Sequence, residues 1–304
     1  MAITHEFEYF KPSKIADAVG LLMKFDRAEI LAGGTDLVNI LKEQAKCTNP
    51  TACIETLQAV VDIKGLDHLR TLALEDGRLE VGALVTFTEI MESSLVKAEM
   101  PVLPEVAATV ASVGVRNRAT MAGNICSGVP CMDSGPVLRL YDADVVLEGP
   151  EGTRMVPISQ WFLHVRRTDI RKGEIVTRME IPIPAGGHGS AYVKLRRYRG
   201  EDLAQASVCI MVLPGHKYRV AFGAVSPVPI RSARLEQLLE GHPVTDELIA
   251  RAQELIPGEI APITDVRATA EYRTHMVKVM FERGLKAAVA RLAGNGPAYG
   301  SHLI

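Results

Sequence analysis

Apolar residues recur at helical spacing near the start of the chain. Ile15, Ala18, Val19 and Leu22 fall at i, i+3, i+4 and i+7, and Pro12 and Ser13 suit a helix start, so a helix is expected over 12–25. Residues 28–31 form a short apolar strand pattern, Ala32-Gly33-Gly34-Thr35-Asp36 interrupts it, and 37–44 returns to helical spacing. From residue 71 the pattern shortens. Residues 71–74 and 78–81 flank Glu75-Asp76-Gly77, a hairpin signal. Thr86 with Glu89 forms a capping box before a short helix. Val102, Val106, Val110 and Val113 predict one buried helix over 101–113, after which 114–136 is glycine-rich. A second hairpin, 144–147 with 154–156, surrounds Gly149-Pro150-Glu151-Gly152, and 175–181 reads as a strand. Pro182-Ile183-Pro184-Ala185-Gly186-Gly187 has no periodicity and reads as a linker. Strands are expected at 190–195, 208–213 and 218–225, and helices at 233–239, 245–255 and about 269–292. The tail, 293–304, is small and polar enough to fray.

Composition narrows the class. A chain of 304 residues suggests two domains, and 47% hydrophobic with 23% charged residues supports a large core without staples. Lys plus Arg total 34 against 36 Asp plus Glu, so the basic excess needed for nucleic acid or a membrane surface is missing. The run 106–115 is about half a membrane span, and residues 1–10 carry no apolar targeting segment. Five cysteines, an odd number without a Cys-x-x-Cys pair, argue against a disulfide scaffold or zinc ribbon and suit a reducing compartment. The reading is a cytoplasmic protein with no nucleic-acid partner and no membrane span. Gly-x-Gly-x-x-Gly, the P-loop, Gly-x-Ser-x-Gly and His-Glu-x-x-His are all missing from the sequence.

Three segments remain as candidate chemistry. In Ala32-Gly33-Gly34-Thr35-Asp36, paired glycines expose consecutive amides just ahead of a helix N-terminus, a combination that holds phosphate. The plainer reading is a glycine turn that closes a β–α unit. Residues 120–136 read as a long irregular loop of small polar residues, either an ordered loop against a polar ligand or a surface Ω-loop. In Lys194-Leu195-Arg196-Arg197-Tyr198-Arg199, alternation puts Lys194 and Arg196 on one strand face, turned to solvent or to a phosphate, a redox ring or a partner. Cys126 and Cys131 share one loop, and Cys47 and Cys53 another. Their spacings match no standard iron–sulfur ligand run. Cys209, inside an apolar strand, reads as a core residue.

In order along the chain, these motifs resemble the FAD-binding medium subunit of molybdenum-containing hydroxylases. That group includes xanthine, carbon monoxide and nicotinate dehydrogenases and 4-hydroxybenzoyl-CoA reductase. The resemblance begins at Phe7-Glu8-Tyr9-Phe10-Lys11-Pro12 and runs through Ala32 to Leu37, Gly82-Ala83, Arg116-Asn117, Gly123-Asn124, Pro130, Asp133 and Pro136. It continues with Glu174-Ile175, Ile181-Pro182, Lys194, Asp265-x-Arg267-Ala268 and Tyr272-Arg273. It implies an α+β fold: a two-part FAD-binding domain over 1–182, then a C-terminal domain over 188–292 with a small antiparallel sheet and helices, then a flexible tail over 293–304. The first part, about 1–58, is a small β-α-β unit; the second, 59–182, is larger and mainly antiparallel.

The resemblance also implies roles. Ala32, Gly33, Gly34, Thr35 and Asp36, with Thr120, Ala122, Gly123 and Asn124, would hold the FAD pyrophosphate. Asp133 would contact the ribityl and pyrophosphate region, and Val176 the adenine end. Val110 and Lys194 would lie near the isoalloxazine, with Leu203 covering it. Ala122 stands where many relatives have the first of two glycines, and the cysteine-rich insertion of 4-hydroxybenzoyl-CoA reductase is missing. No catalytic nucleophile, acid–base pair or metal ligand is implied in this chain. The implied activity is electron relay within an oxidoreductase. A large molybdopterin-binding subunit oxidises substrate, a small subunit with two [2Fe–2S] clusters passes electrons, and FAD here delivers them to an acceptor, the whole assembling as a dimer of heterotrimers. Lys194 would favour anionic reduced flavin by its charge. Two rival readings are a self-contained FAD-dependent reductase of the same flavin fold and a non-catalytic assembly subunit. On this reading Gly34→Val and Asp133→Ala each weaken FAD retention in a folded chain; stoichiometric flavin in both variants, measured by absorbance, overturns the site.

Overall fold

The computed structural model describes residues 3, 6–43, 57–198 and 200–304, so Gln44, Cys47, Cys53 and Arg199 lie outside the described residues. The first sheet is parallel, ordered β1 (Glu8–Phe10), β3 (Ala59–Asp62), β2 (Ala28–Leu31). Helix α1 (Ile15–Lys24) links β1 to β2, burying Ala18 and Leu22, and α2 (Leu37–Glu43) follows the glycine turn. Strands β1 and β3 escape sequence reading because three or four residues are too few to show alternation, and β3 is buried on both faces. The division expected near residue 58 falls inside this sheet, since β3 is its central strand.

Both predicted hairpins form. β4 (Leu72–Glu75), β5 (Arg78–Gly82), β6 (Asp144–Gly149), β7 (Gly152–Pro157) and β10 (Ile175–Pro182) make an antiparallel sheet ordered β4-β5-β10-β6-β7. Inserted within it are α3 (Phe87–Glu92), α4 (Ser94–Glu99), α5 (Val102–Ala108), α6 (Val113–Arg116), α7 (Met121–Cys126) and α8 (Ser134–Leu140). A short α9 (Ile158–Trp161) and the hairpin β8 (Phe162–His164) with β9 (Arg167–Thr168) complete the insertion.

Two expectations fail here. The single helix over 101–113 breaks after α5, where Ala111 takes φ +37° and the Arg116 guanidinium donates to the Val110 and Ala111 carbonyls at 2.8 and 2.7 Å. Ser112 then caps α6, its hydroxyl accepting from the Val115 amide. The segment 120–136, expected as a loop, is about half helical: α7 and the start of α8 flank an irregular stretch over 127–133. Thr120 caps α7 by accepting from the Gly123 amide at 3.0 Å, and the Asn124 side chain accepts from the first amide of α8, Ser134, at 3.1 Å. These caps and the burial of Met121, Ile125, Val137 and Leu138 outweigh the weak helix propensity of the glycines and proline.

The third sheet runs β11 (Gly189–Leu195), β12 (Ala206–Leu213), β13 (Lys217–Gly223), β14 (Ile230–Arg231), all antiparallel. It is buried on both faces. Tyr192, Cys209, Met211 and Ala221 join the core of the preceding domain, while Ala191, Val193, Val208 and Ile210 pack under α10 (Ala233–Leu239), α11 (Asp246–Leu255) and α12 (Ala270–Leu292). This sandwiching explains the unbroken apolar run of β12, and Cys209 is a fully buried member of it.

Part of the tail, expected to fray, makes contacts back to the domain. The Arg291 guanidinium stacks 4.0 Å from the Tyr299 ring centre and donates to the Pro297 and Ala298 carbonyls. The Gly300 amide donates to Glu105 Oε2 at 2.8 Å. Elsewhere the sequence signal was sufficient: both arms of the Thr86–Glu89 capping box form, and Thr86 also bridges to Thr120. Thr86→Ala is therefore expected to destabilise the chain by about 1 kcal/mol, read as a lower urea midpoint with unchanged slope.

Candidate functional site

The two glycine segments meet. A Cβ built on Gly33 would stand 2.1 Å from the Arg118 carbonyl oxygen, so only glycine lets the first turn seat against residues 118–119. Gly34 follows with φ +77°, a left-handed conformation that points the chain into α2. Among the described residues, none accepts a hydrogen bond from the amides of Thr35 or Asp36. Asp36 lies 3.7 Å from the Arg166 guanidinium, and Ala32 is half-buried at the end of β2. Immediately beyond 118–119, Thr120 opens α7. The Gly123 amide is taken by the Thr120 cap and the Met121 amide lies on the Thr86–Thr120 bridge, which leaves the Ala122 amide as a first-turn donor with no intrahelical acceptor. Ala122 is helical and 3% exposed, so its Cβ is accommodated within the packed first turn of α7.

From α7 a hydrogen-bonded path leads to the C-terminal domain. Asn124 holds the Ser134 amide, and the preceding Asp133 is 6% exposed. Its carboxylate accepts from the Tyr192 hydroxyl at 2.7 Å and pairs with Lys194 Nζ at 2.9 Å. Lys194 Nζ also donates to the Thr109 carbonyl at 2.9 Å, next to Val110 at the end of α5. Burial, with the Asp133 charge, holds the Tyr192 phenol well above its usual range, so it remains a donor. The structure thus joins Ala32 to Asp36, Thr120 to Asn124, Asp133, Lys194 and Val110 into one continuous arrangement.

Other expectations divide. Lys194 leaves the solvated charge run: it is 7% exposed, whereas Arg196 is half-buried and Arg197 exposed. Its charge is compensated by Asp133, so the ammonium is not a free cation. Val176, on β10, is 4% exposed and sits in the core beneath α7 rather than among the polar groups. Leu203 is 47% exposed, outside the buried network. Cys126 and Cys131 are half-buried free thiols. Burial pushes the Cys126 thiol up to about 12, and burial, then Asp133, raises that of Cys131. Asp265 accepts from the Arg267 and Ala268 amides and pairs with Arg273, whose guanidinium donates to the Gln205 carbonyl, so that motif fastens α12 to β12.

Sequence reasoning missed Tyr192, Glu105 and Arg291. Glu105 is 6% exposed on α5, accepts the Tyr192 amide at 2.8 Å and is gripped by both terminal nitrogens of Arg291. Its signal was a lone carboxylate inside an apolar helix, since a buried charge needs a partner.

Comparison with known proteins follows this geometry. Residues 5–184 match the family described as the FAD binding domain in molybdopterin dehydrogenase, and 190–288 the CO dehydrogenase flavoprotein C-terminal domain. The xanthine dehydrogenase FAD-binding subunit of Escherichia coli O157:H7 is 31% identical over 292 residues, 94% of this chain and 97% of that one. The carbon monoxide dehydrogenase medium chain of Afipia carboxidovorans is 31% identical over 293 residues, 95% of this chain and 99% of that one. A solved structure of carbon monoxide dehydrogenase from Hydrogenophaga pseudoflava superposes with TM-score 0.89 at 32% identity, covering 96% of this chain and all of that one.

The buried pair changes what one substitution reports. Asp133→Ala strands the Lys194 ammonium in the interior, so the flavin-free chain is expected to lose about 3–5 kcal/mol of stability. Asp133→Ala combined with Lys194→Met is expected to recover most of that loss in urea denaturation; a double variant no better than the single one refutes the pairing.

Proposed function

The chain belongs to the FAD-binding subunit family of the molybdopterin dehydrogenases, and from that premise we propose how its parts carry the flavin and meet their partners. It is an FAD-dependent electron-transfer subunit of a multi-subunit oxidoreductase. The turn from Ala32 to Asp36 and the first turn of α7, with Thr120, Ala122, Gly123 and Asn124, bind the pyrophosphate. The observation that carries this is the seating of Gly33 on residues 118–119, which brings the Thr35 and Asp36 amides, without an acceptor among the described residues, toward the first turn of α7. Such donors suit a phosphate, and a helix end adds its dipole. Arg166, close to Asp36, offsets the carboxylate beside an anionic ligand.

Lys194 and Val110 form the wall for the isoalloxazine end, with Asp133 meeting the ribityl and pyrophosphate region beside Lys194. When bound there, FAD supplies the chemistry of accepting electrons singly from iron–sulfur centres and releasing a pair. The residues around it orient the ring and fix its electrostatics. Lys194 acts as one half of a neutral pair, a local dipole rather than a net positive charge, and donates from a fixed position between Asp133 and the Thr109 carbonyl. Leu203, exposed beside the end of β11, is the apolar residue available to cover the ring. Val176 contributes at the adenine end through its backbone, where β10 shifts register between Val176 and Arg178.

The partners in this reading are a large molybdopterin-binding subunit and a small subunit with two [2Fe–2S] clusters, arranged as a dimer of heterotrimers in the cytoplasm. The names of the relatives as FAD-binding subunits or medium chains support the division of labour. No helix among the described residues is long and apolar enough to cross a membrane.

Reconstitution with FAD is the test. The purified chain is expected to take up one FAD with visible flavin bands. Gly33→Ala is expected to weaken retention at least tenfold, because its Cβ forces the two turns apart. Stoichiometric flavin in that variant, or no flavin in the parent chain, sinks the proposed site.

A further inference from the structure

Glu105 has its acceptor capacity filled by four donors drawn from three different parts of the chain. Oε1 accepts from the Tyr192 amide at 2.8 Å and Arg291 Nη1 at 3.1 Å. Oε2 accepts from Arg291 Nη2 at 2.7 Å and the Gly300 amide at 2.8 Å. Arg291 Nη1 also donates to the Ser190 carbonyl at 2.7 Å, and the side chains of the pair are 3% and 4% exposed. One carboxylate on α5 therefore fastens β11, the end of α12 and the tail at a single point.

The contacts along α5 and β11 have matching spacing. Glu105 meets the backbone of Tyr192, and Thr109, four residues on, meets the side chain of Lys194, two residues on. Four helical residues rise about 6 Å and two strand residues about 6.6 Å. The two elements thus run alongside each other like rungs, and where Glu105 holds Tyr192 decides where Lys194 Nζ arrives between Thr109 and Asp133.

We propose that Glu105 and Arg291, closed over by residues 297–300, are positioning residues for the isoalloxazine end of the flavin site. They fix the placement of β11 on α5 and thereby the Lys194–Asp133 dipole and the Tyr192 hydroxyl. Neither residue touches the cofactor in this scheme. The proposal rests on the flavin reading above and adds a second layer of residues to it, drawn from a helix and tail that carry none of the family's glycine motifs.

The full chain with Glu105→Gln or Arg291→Met, loaded with FAD, is the direct test, with Glu236→Gln as control. Glu236 is bonded alike, accepting one strand amide from Val220 and a two-nitrogen grip from Arg231, but within the C-terminal domain and away from Lys194. The two site variants are expected to change the ratio of affinities for oxidised and reduced flavin tenfold or more. That is about 30 mV in the two-electron midpoint potential. They are also expected to speed amide exchange across 189–195 in the flavin-free chain. The control is expected to lower Tm without moving the potential. Should Glu105→Gln fail to fold, a chain ending at Gly296 keeps the Glu105–Arg291 pair, loses the Gly300 donor and Tyr299 ring, and is expected to shift the potential in the same direction. An unchanged potential and unchanged exchange over 189–195, alongside a lowered Tm, overturn the positioning role and leave the flavin site standing. A parent chain that takes up no FAD overturns both.

Discussion

An ammonium group enclosed by protein must be compensated where it sits, and Lys194 imposes that demand on three separate elements. Its partners are Asp133 ahead of α8 and the Thr109 carbonyl ending α5, while the lysine itself belongs to the C-terminal sheet. Satisfying one charge therefore draws two domains together. The break in the 101–113 segment follows the same logic: a helix that continued past Thr109 would use that carbonyl internally. Instead Ala111 turns the chain, Arg116 takes the next free carbonyls, and Thr109 remains available.

Elements specified by their own sequence were legible. The helix at α1, both hairpins of the second sheet, the Thr86 box and the three long strands of the third sheet all rest on spacing or turn chemistry within a dozen residues. The Gly33-Gly34 turn was legible as a turn, but its reason was not. Gly33 is required by a carbonyl 85 residues away, and Gly34 by its own dihedral angle. Residues 120–136 looked irregular because glycine and proline lower helix propensity; the caps that override this include Asn124 reaching Ser134 ten residues on. Lys194 and Asp133 were picked out as site residues by resemblance, while their pairing and the network through Tyr192, Glu105 and Arg291 are tertiary and left no local pattern.

The cysteines show how environment decides chemistry. Cys126 ends α7 and Cys131 lies in the short connection to α8. Burial raises both thiols, with Asp133 adding to that of Cys131, so neither favours the thiolate form. Ala122 tells a similar story for shape: because α7 is an ordinary helix at that position, a second glycine is dispensable there, whereas at Gly33 a single methyl group has no space.

The clasp on Glu105 also sets an order of events. Its partners lie 186 and 195 residues further along the chain. During synthesis, the N-terminal glycine turns, α5 and α7 can fold long before Arg291 and Gly300 exist, yet a buried Glu105 without them is an uncompensated anion. Solvent must keep access to that carboxylate until the last segment arrives. The placement of β11 on α5 therefore depends on contacts with residues 291–300, and forming them takes the Glu105 carboxylate out of water.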